Sequence, residues 1–137
     1  MLSPNELVDQ IAKQLDDNTI CFVNKQDRSI EIIELDKLTT EEVTELTATY
    51  EAKSSKYIKV PPMPKQELLF AMQEFLGEVT DAEVEKELGK SLQRKNPTRN
   101  FLQIVNSRFD IKQHWRNFKH EKNVEFVGKQ FIKDYNY

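Results

Sequence analysis

The chain has 137 residues, of which 38% are hydrophobic and 31% charged, with only three glycines and five prolines. That is the composition of a folded globule, not of a disordered or collagen-like chain, and its length suits one domain over 1–137 that buries roughly 65 to 70% of its unfolded surface. The longest apolar runs, Ile20–Val23 and Leu68–Met72, fall far below the roughly 20 residues that cross a bilayer, and the single cysteine, Cys21, excludes an intrachain disulfide.

The net charge of −3 is unevenly spread. Residues 1–53 carry 5 basic and 12 acidic side chains, a balance of −7, whereas residues 89–137 carry 11 and 4, a balance of +7. Such asymmetry marks a surface for an anionic partner, or acidic and basic halves that face one another. The start, Met1 to Glu6, lacks the basic and apolar regions of a secretory signal, so a cytoplasmic location without membrane contact is expected.

In chain order, Ser3-Pro4-Asn5-Glu6 reads as a capped helix start, and Leu7, Val8, Ile11 and Leu15 at helical spacing predict a helix over 4–15. Thr19–Val23 and Ser29–Leu35 are β-branched or apolar around a polar turn at 24–28, which predicts a hairpin. Thr39-Thr40-Glu41-Glu42 offers a second capping box, followed by Val43, Leu46, Thr47 and Tyr50 in a helix from about 40 to 53. Lys56–Val60 alternates like a strand and runs into Pro61-Pro62-Met63-Pro64, so it is expected to join the hairpin at an edge.

Everything beyond the prolines reads as helix. Leu68, Leu69, Met72, Phe75 and Leu76 form a stripe over about 65–76, closed by Gly77. Thr80-Asp81-Ala82-Glu83 starts a helix carrying Val84, Leu88 and Leu92, and Asn96-Pro97 starts one with Phe101, Ile104 and Val105. Asp110 is the expected cap of a last helix with Ile111, Trp115 and Phe118 on one face and Val124, Val127 and Phe131 on another, rotated roughly half a turn. That helix either breaks near 120–123 or packs on two sides. The fold class is therefore α+β: an N-terminal helix, a small antiparallel sheet made of a hairpin plus a third strand, and a C-terminal cluster of about four helices.

Tyr57-Ile58-Lys59-Val60-Pro61-Pro62-Met63-Pro64, Met72-Gln73-Glu74-Phe75, Arg99-Asn100-Phe101 and Trp115-Arg116-Asn117-Phe118-Lys119 occur in an order that resembles uncharacterised protein family 0158, small bacterial proteins, over roughly residues 18–133. The chain departs from the pattern at Leu102–Val105 and at Phe131, where a tryptophan is expected. The resemblance implies no activity, substrate or catalytic residue.

The residues themselves give little chemistry. His114 and His120 lie six apart, about 240° around a helix, and so do not form a two-ligand metal face. Glu41 with Glu45, and Glu83 with Glu87, share helix faces, yet with 23 acidic residues such pairs arise by chance and are ordinarily solvated. Gly77, Gly89 and Gly128 stand alone, so there is no phosphate loop, and no serine lies in Gly-x-Ser-x-Gly. No catalytic, cofactor-binding or metal residue is assigned, and an enzyme is disfavoured.

The basic third is the exception: Arg94, Lys95, Arg99, Arg108, Lys112, Arg116 and Lys119, with Lys90 and Lys122 nearby, interleave with Phe101, Phe109, Trp115 and Phe118. Cations among aromatics suit single-stranded nucleic acid, through phosphate neutralisation and base stacking. The same aromatics fall at core spacing, and Lys112, Arg116 and Lys119 form an ordinary solvated face. The reading is a cytoplasmic protein-interaction or accessory module, with these seven residues as the candidate binding surface; the alternative is a nucleic-acid-binding module that uses this basic, aromatic-containing C-terminal third. A weak homodimer is expected through the edge strand beside Pro61.

Overall fold

A computed structural model describes the backbone of residues 3–135 and the side chains of residues 3–130. In chain order the elements are α1 (Pro4–Leu15), β1 (Thr19–Asn24), β2 (Ile30–Glu34), α2 (Thr40–Glu51), β3 (Tyr57–Val60), α3 (Lys65–Leu76), α4 (Ala82–Leu92), α5 (Pro97–Asn106) and α6 (Phe109–Tyr135). The fold is α+β, and its elements fall into two compact units: one holds the residues up to Met63 with those from Asn123 onward, the other residues 64–122.

The first unit is built on an antiparallel sheet of order β2-β1-β3. β1 is central, so both of its edges are paired, and with α1 against one face and Tyr50 of α2 against the other nearly all of its residues are buried. Cys21 and Val23 join Ile58 and Val60 on one face, packed against Leu7, Ile11, Ala12 and Leu15 of α1 and Val127 of α6. Phe22 points the opposite way, as strand alternation requires, and stacks on Tyr50 of α2 at 4.8 Å, with the Tyr57 ring edge-on to Tyr50 at 5.2 Å. β3 does sit at an edge, paired only to β1.

The caps explain where the helices begin. Ser3 Oγ accepts from the Glu6 amide before Pro4, and Thr39 with Glu42 forms a reciprocal capping box. At α4 the cap is Asp81, not Thr80: its carboxylate accepts from the amides of both Glu83 and Val84, a pair of bonds that a hydroxyl one residue earlier does not make. Asn96 precedes Pro97 in a left-handed conformation, φ 59°, which asparagine tolerates better than most residues. Gly77 ends α3 with φ −69°, so its freedom at positive φ is unused.

Two expectations shift. The apolar stripe of α2 contains no fully buried residue, and Leu46 is 40% exposed. α6 begins at Phe109, so Asp110 lies inside the first turn and Arg108 precedes it. The helix does not break near 120–123: it stays continuous and packs on two sides, Ile111 and Trp115 being buried in the second unit and Asn123 and Val127 in the first. The side chain of Phe131 lies outside the described residues.

The second unit is organised around Phe75 of α3. Its ring lies 6.3 Å from Phe101, 4.9 Å from His114, 5.2 Å from Trp115 and 5.4 Å from Phe118, mostly edge-to-face. Such pairs contribute roughly 0.5 to 1.5 kcal/mol each beyond the area they bury. Met72, Val84, Leu88, Phe101 and Val105 complete this core, all at 0 to 1% exposure.

Candidate functional site

The aromatic core dictates which side of α6 carries charge. Ile111, Trp115 and Phe118 recur at steps of four and three and turn one face inward. Arg108, Lys112, Arg116 and Lys119 recur at steps of four, four and three, and at 100° per residue they lie within about 80° of one another on a different face. Arg108, Lys112 and Arg116 are exposed and Lys119 is half-buried. The four span about 16 Å along the helix.

Arg94 and Lys95 stand exposed in the turn after α4, where the Lys95 carbonyl accepts from Asn100 Nδ2 at 2.8 Å. Arg99, in the first turn of α5, lines a groove of about 520 Å³ together with Lys65, Asn96, Thr98, Leu102 and Gln103. The seven candidate cations thus occupy three places: the α6 face, the α4–α5 turn and the α5 groove.

Among the described residues none of the seven makes an ion pair. Lys122 behaves differently. It pairs with Glu74 at 2.6 Å and stands over the Phe118 ring at 5.3 Å, so its charge is already engaged. The four cations of the α6 face lie within roughly a Debye length of their neighbours and reinforce one another's field, which attracts anions.

The aromatics interleaved with these cations separate sharply. Phe101 is fully buried, Trp115 is 4% exposed and Phe118 is half-buried against Phe75, whereas Phe109, the first residue of α6, is 83% exposed. Helical periodicity turns Phe109 about 120 to 180° away from Ile111, Trp115 and Phe118, a signal that grouping the four aromatics together at core spacing missed. Lys65 also escapes a sequence reading, since it lies 34 residues from Arg99 and only the packing of α3 beside α5 brings it to the same groove.

The remaining candidates keep structural roles. His114 packs its ring on Phe75. Cys21 is fully buried, and that burial pushes its thiol pKa up, only partly offset by Thr19 Oγ1 at 3.8 Å. Glu41 and Glu45 line a shallow depression on α2 with Thr40 and Thr44. Among the described residues no group of three or more His, Cys, Asp or Glu side chains is placed to hold a metal ion, and no helix is long and apolar enough to cross a membrane.

Residues 1–133 match the uncharacterised protein family (UPF0158), which takes in every element from α1 to most of α6. The chain belongs to this family. No curated protein and no solved structure matches it. Family membership therefore assigns no chemistry, and the cationic face is what this chain's own side chains offer a ligand.

Proposed function

We propose that the chain is a non-enzymatic protein-interaction module of the cytoplasm, and that it binds an acidic segment of a partner protein along the cationic face of α6. One observation carries this reading: Arg108, Lys112, Arg116 and Lys119 share a face without an ion pair among the described residues, beside a phenylalanine that is 83% exposed. An opposing carboxylate that replaces water offsets the cost of desolvating an unpaired cation, and an open aromatic ring supplies the apolar anchor that such interfaces commonly contain.

What favours protein over nucleic acid is the fate of the rings. Sequence-tolerant binding of single strands uses stacking on exposed ring faces. Phe101 and Trp115 are enclosed in the core, and Phe118 is half-buried between Phe75 and Lys122, which leaves Phe109 alone among the four.

The test is affinity isolation of partners with the full chain, with and without nuclease, compared with Arg108→Glu/Lys112→Glu/Arg116→Glu. A protein partner retained after nuclease and lost from the triple variant is the expected result. Partners that vanish with nuclease would replace this reading with nucleic-acid binding, and partners kept by the triple variant would remove the α6 face from it.

A further inference from the structure

The groove beside α5 gathers positive charge without a carboxylate to answer it. Among its described lining residues Lys65 and Arg99 are cationic and none is acidic. Both are exposed, and neither makes an ion pair among the described residues. All of the lining falls within residues 64–122, so a single compact unit holds the whole groove.

Two further observations point to the same end of it. Thr98 lines the groove, and its Oγ1 is shielded from water without a hydrogen-bond partner in the structure. Buried hydroxyls are ordinarily paired, so a ligand oxygen there supplies the acceptor that the protein does not. The backbone beside it is equally unanswered. Ser3, Thr39 and Asp81 accept from the first amides of α1, α2 and α4, but Asn96 stands before α5 in a left-handed conformation and makes no cap bond. Pro97 has no amide, which leaves the Thr98 and Arg99 N–H groups to open a ten-residue helix without an acceptor among the described residues.

We propose that this groove binds a small organic phosphomonoester, with the phosphoryl group held at the start of α5. The donors favour phosphoryl over carboxylate. Two amides, the Thr98 hydroxyl, the Arg99 guanidinium and the Lys65 ammonium make five donor groups, more than the roughly four lone-pair sites of a carboxylate. They match three phosphoryl oxygens that carry about −1.5 to −2 charge. The volume of about 520 Å³ lies within the roughly 300 to 1,000 Å³ of small-molecule sites and leaves room for more than a bare phosphate. Leu102 and Gln103, one turn further along α5, offer an apolar surface and an amide to the organic part. The site is separate from the cationic face of α6, since it uses none of Arg108, Lys112, Arg116 and Lys119.

Amide nuclear magnetic resonance on the full chain tests the proposal, with phenyl phosphate as the probe at constant ionic strength and a pH above the second phosphate pKa of about 6. The Thr98 and Arg99 amides should shift saturably, with half-saturation below about 1 mM. Lys65→Gln and Arg99→Gln, both at exposed positions, should each weaken binding at least ~10-fold with an unchanged melting temperature, while Arg116→Gln should bind as wild type does. Benzoate, which carries a carboxylate on the same ring, should bind at least ~10-fold more weakly than phenyl phosphate. Absence of saturable shifts at about 10 mM probe overturns the proposal. So do shifts centred on Lys112 and Arg116, or binding that Lys65→Gln and Arg99→Gln leave unchanged. Benzoate binding as tightly as phenyl phosphate overturns the assignment of a phosphoryl group.

Discussion

Asn123 Nδ2 donates to Asp16 Oδ1 at 2.6 Å, across 107 residues of chain. Asn123 is 1% exposed on α6 and Asp16 ends α1, so this polar contact ties the last helix to the first within one unit. A hydrogen bond to a charged group contributes about 1.5 to 3 kcal/mol, and Asn123→Ala should lower stability to urea by about that amount. Asn123→Asp should be worse at neutral pH, because it sets two carboxylates together, and should recover part of the loss as pH falls. Equal stability of both variants from pH 7 to pH 5 would show that the contact contributes nothing.

Trp115 is the only tryptophan and is enclosed by Phe75 and Phe101 at 5.2 and 5.0 Å. Its emission should be blue-shifted and poorly quenched by iodide. Trp115→Ala should cost on the order of 3 to 5 kcal/mol, a large part of the roughly 5 to 15 kcal/mol that holds a domain together. A variant that melts within a degree or two of wild type would place the ring outside the core.

Cys21 combines full burial with a thiol pKa raised by that burial. Disulfide-exchange reagents should therefore label it only as fast as the protein opens. The linkage has a definite sign: an acid whose folded pKa lies above the unfolded one keeps its proton longer in the folded state, so stability falls as pH rises past the ordinary thiol value. Comparing wild type with Cys21→Ala between pH 8 and pH 10 isolates this share. A pH slope identical in the two proteins would exclude it.

α2 has no fully buried residue and is held through Tyr50 on Phe22, the Glu51–Lys59 pair and the Thr39–Glu42 capping box. Its amides should exchange faster than those of α1, and Thr39→Ala should speed them further. The hydrogen bonds from Thr39 hold the Glu42 carboxylate below its ordinary pKa, so the contribution of the box is present above that ordinary value and lost as pH falls through the lower folded one. Hydrogen exchange of α2 that matches α1 in both proteins would contradict this account.

Secondary structure was legible because local signals agreed. Ser3-Pro4, Thr39 to Glu42 and Asn96-Pro97 mark helix starts that the fold uses, and β-branched runs around a polar turn made the hairpin. Trp115 and Phe118 could be assigned to a core stripe from spacing alone, because a helix of period 3.6 leaves them no other common face. The cationic residues were equally visible, since charge is a property of the sequence.

Other properties came from tertiary packing. Sequence spacing placed Phe109 about 120° from Trp115 on a helix but did not show how exposed each would be, since exposure depends on which elements cover a position. Nor did it show that α2 would be only half covered, that α6 would stay continuous while packing on two sides, or that Lys65 would share a groove with Arg99. Strand order, too, belongs to long-range pairing. β1 became the middle of the sheet because β3 returned to it after α2, and that return left β2 as an open edge. Local sequence determined which segments became helix or strand and where the charge lay, while the packing of distant segments decided which of those surfaces remained exposed.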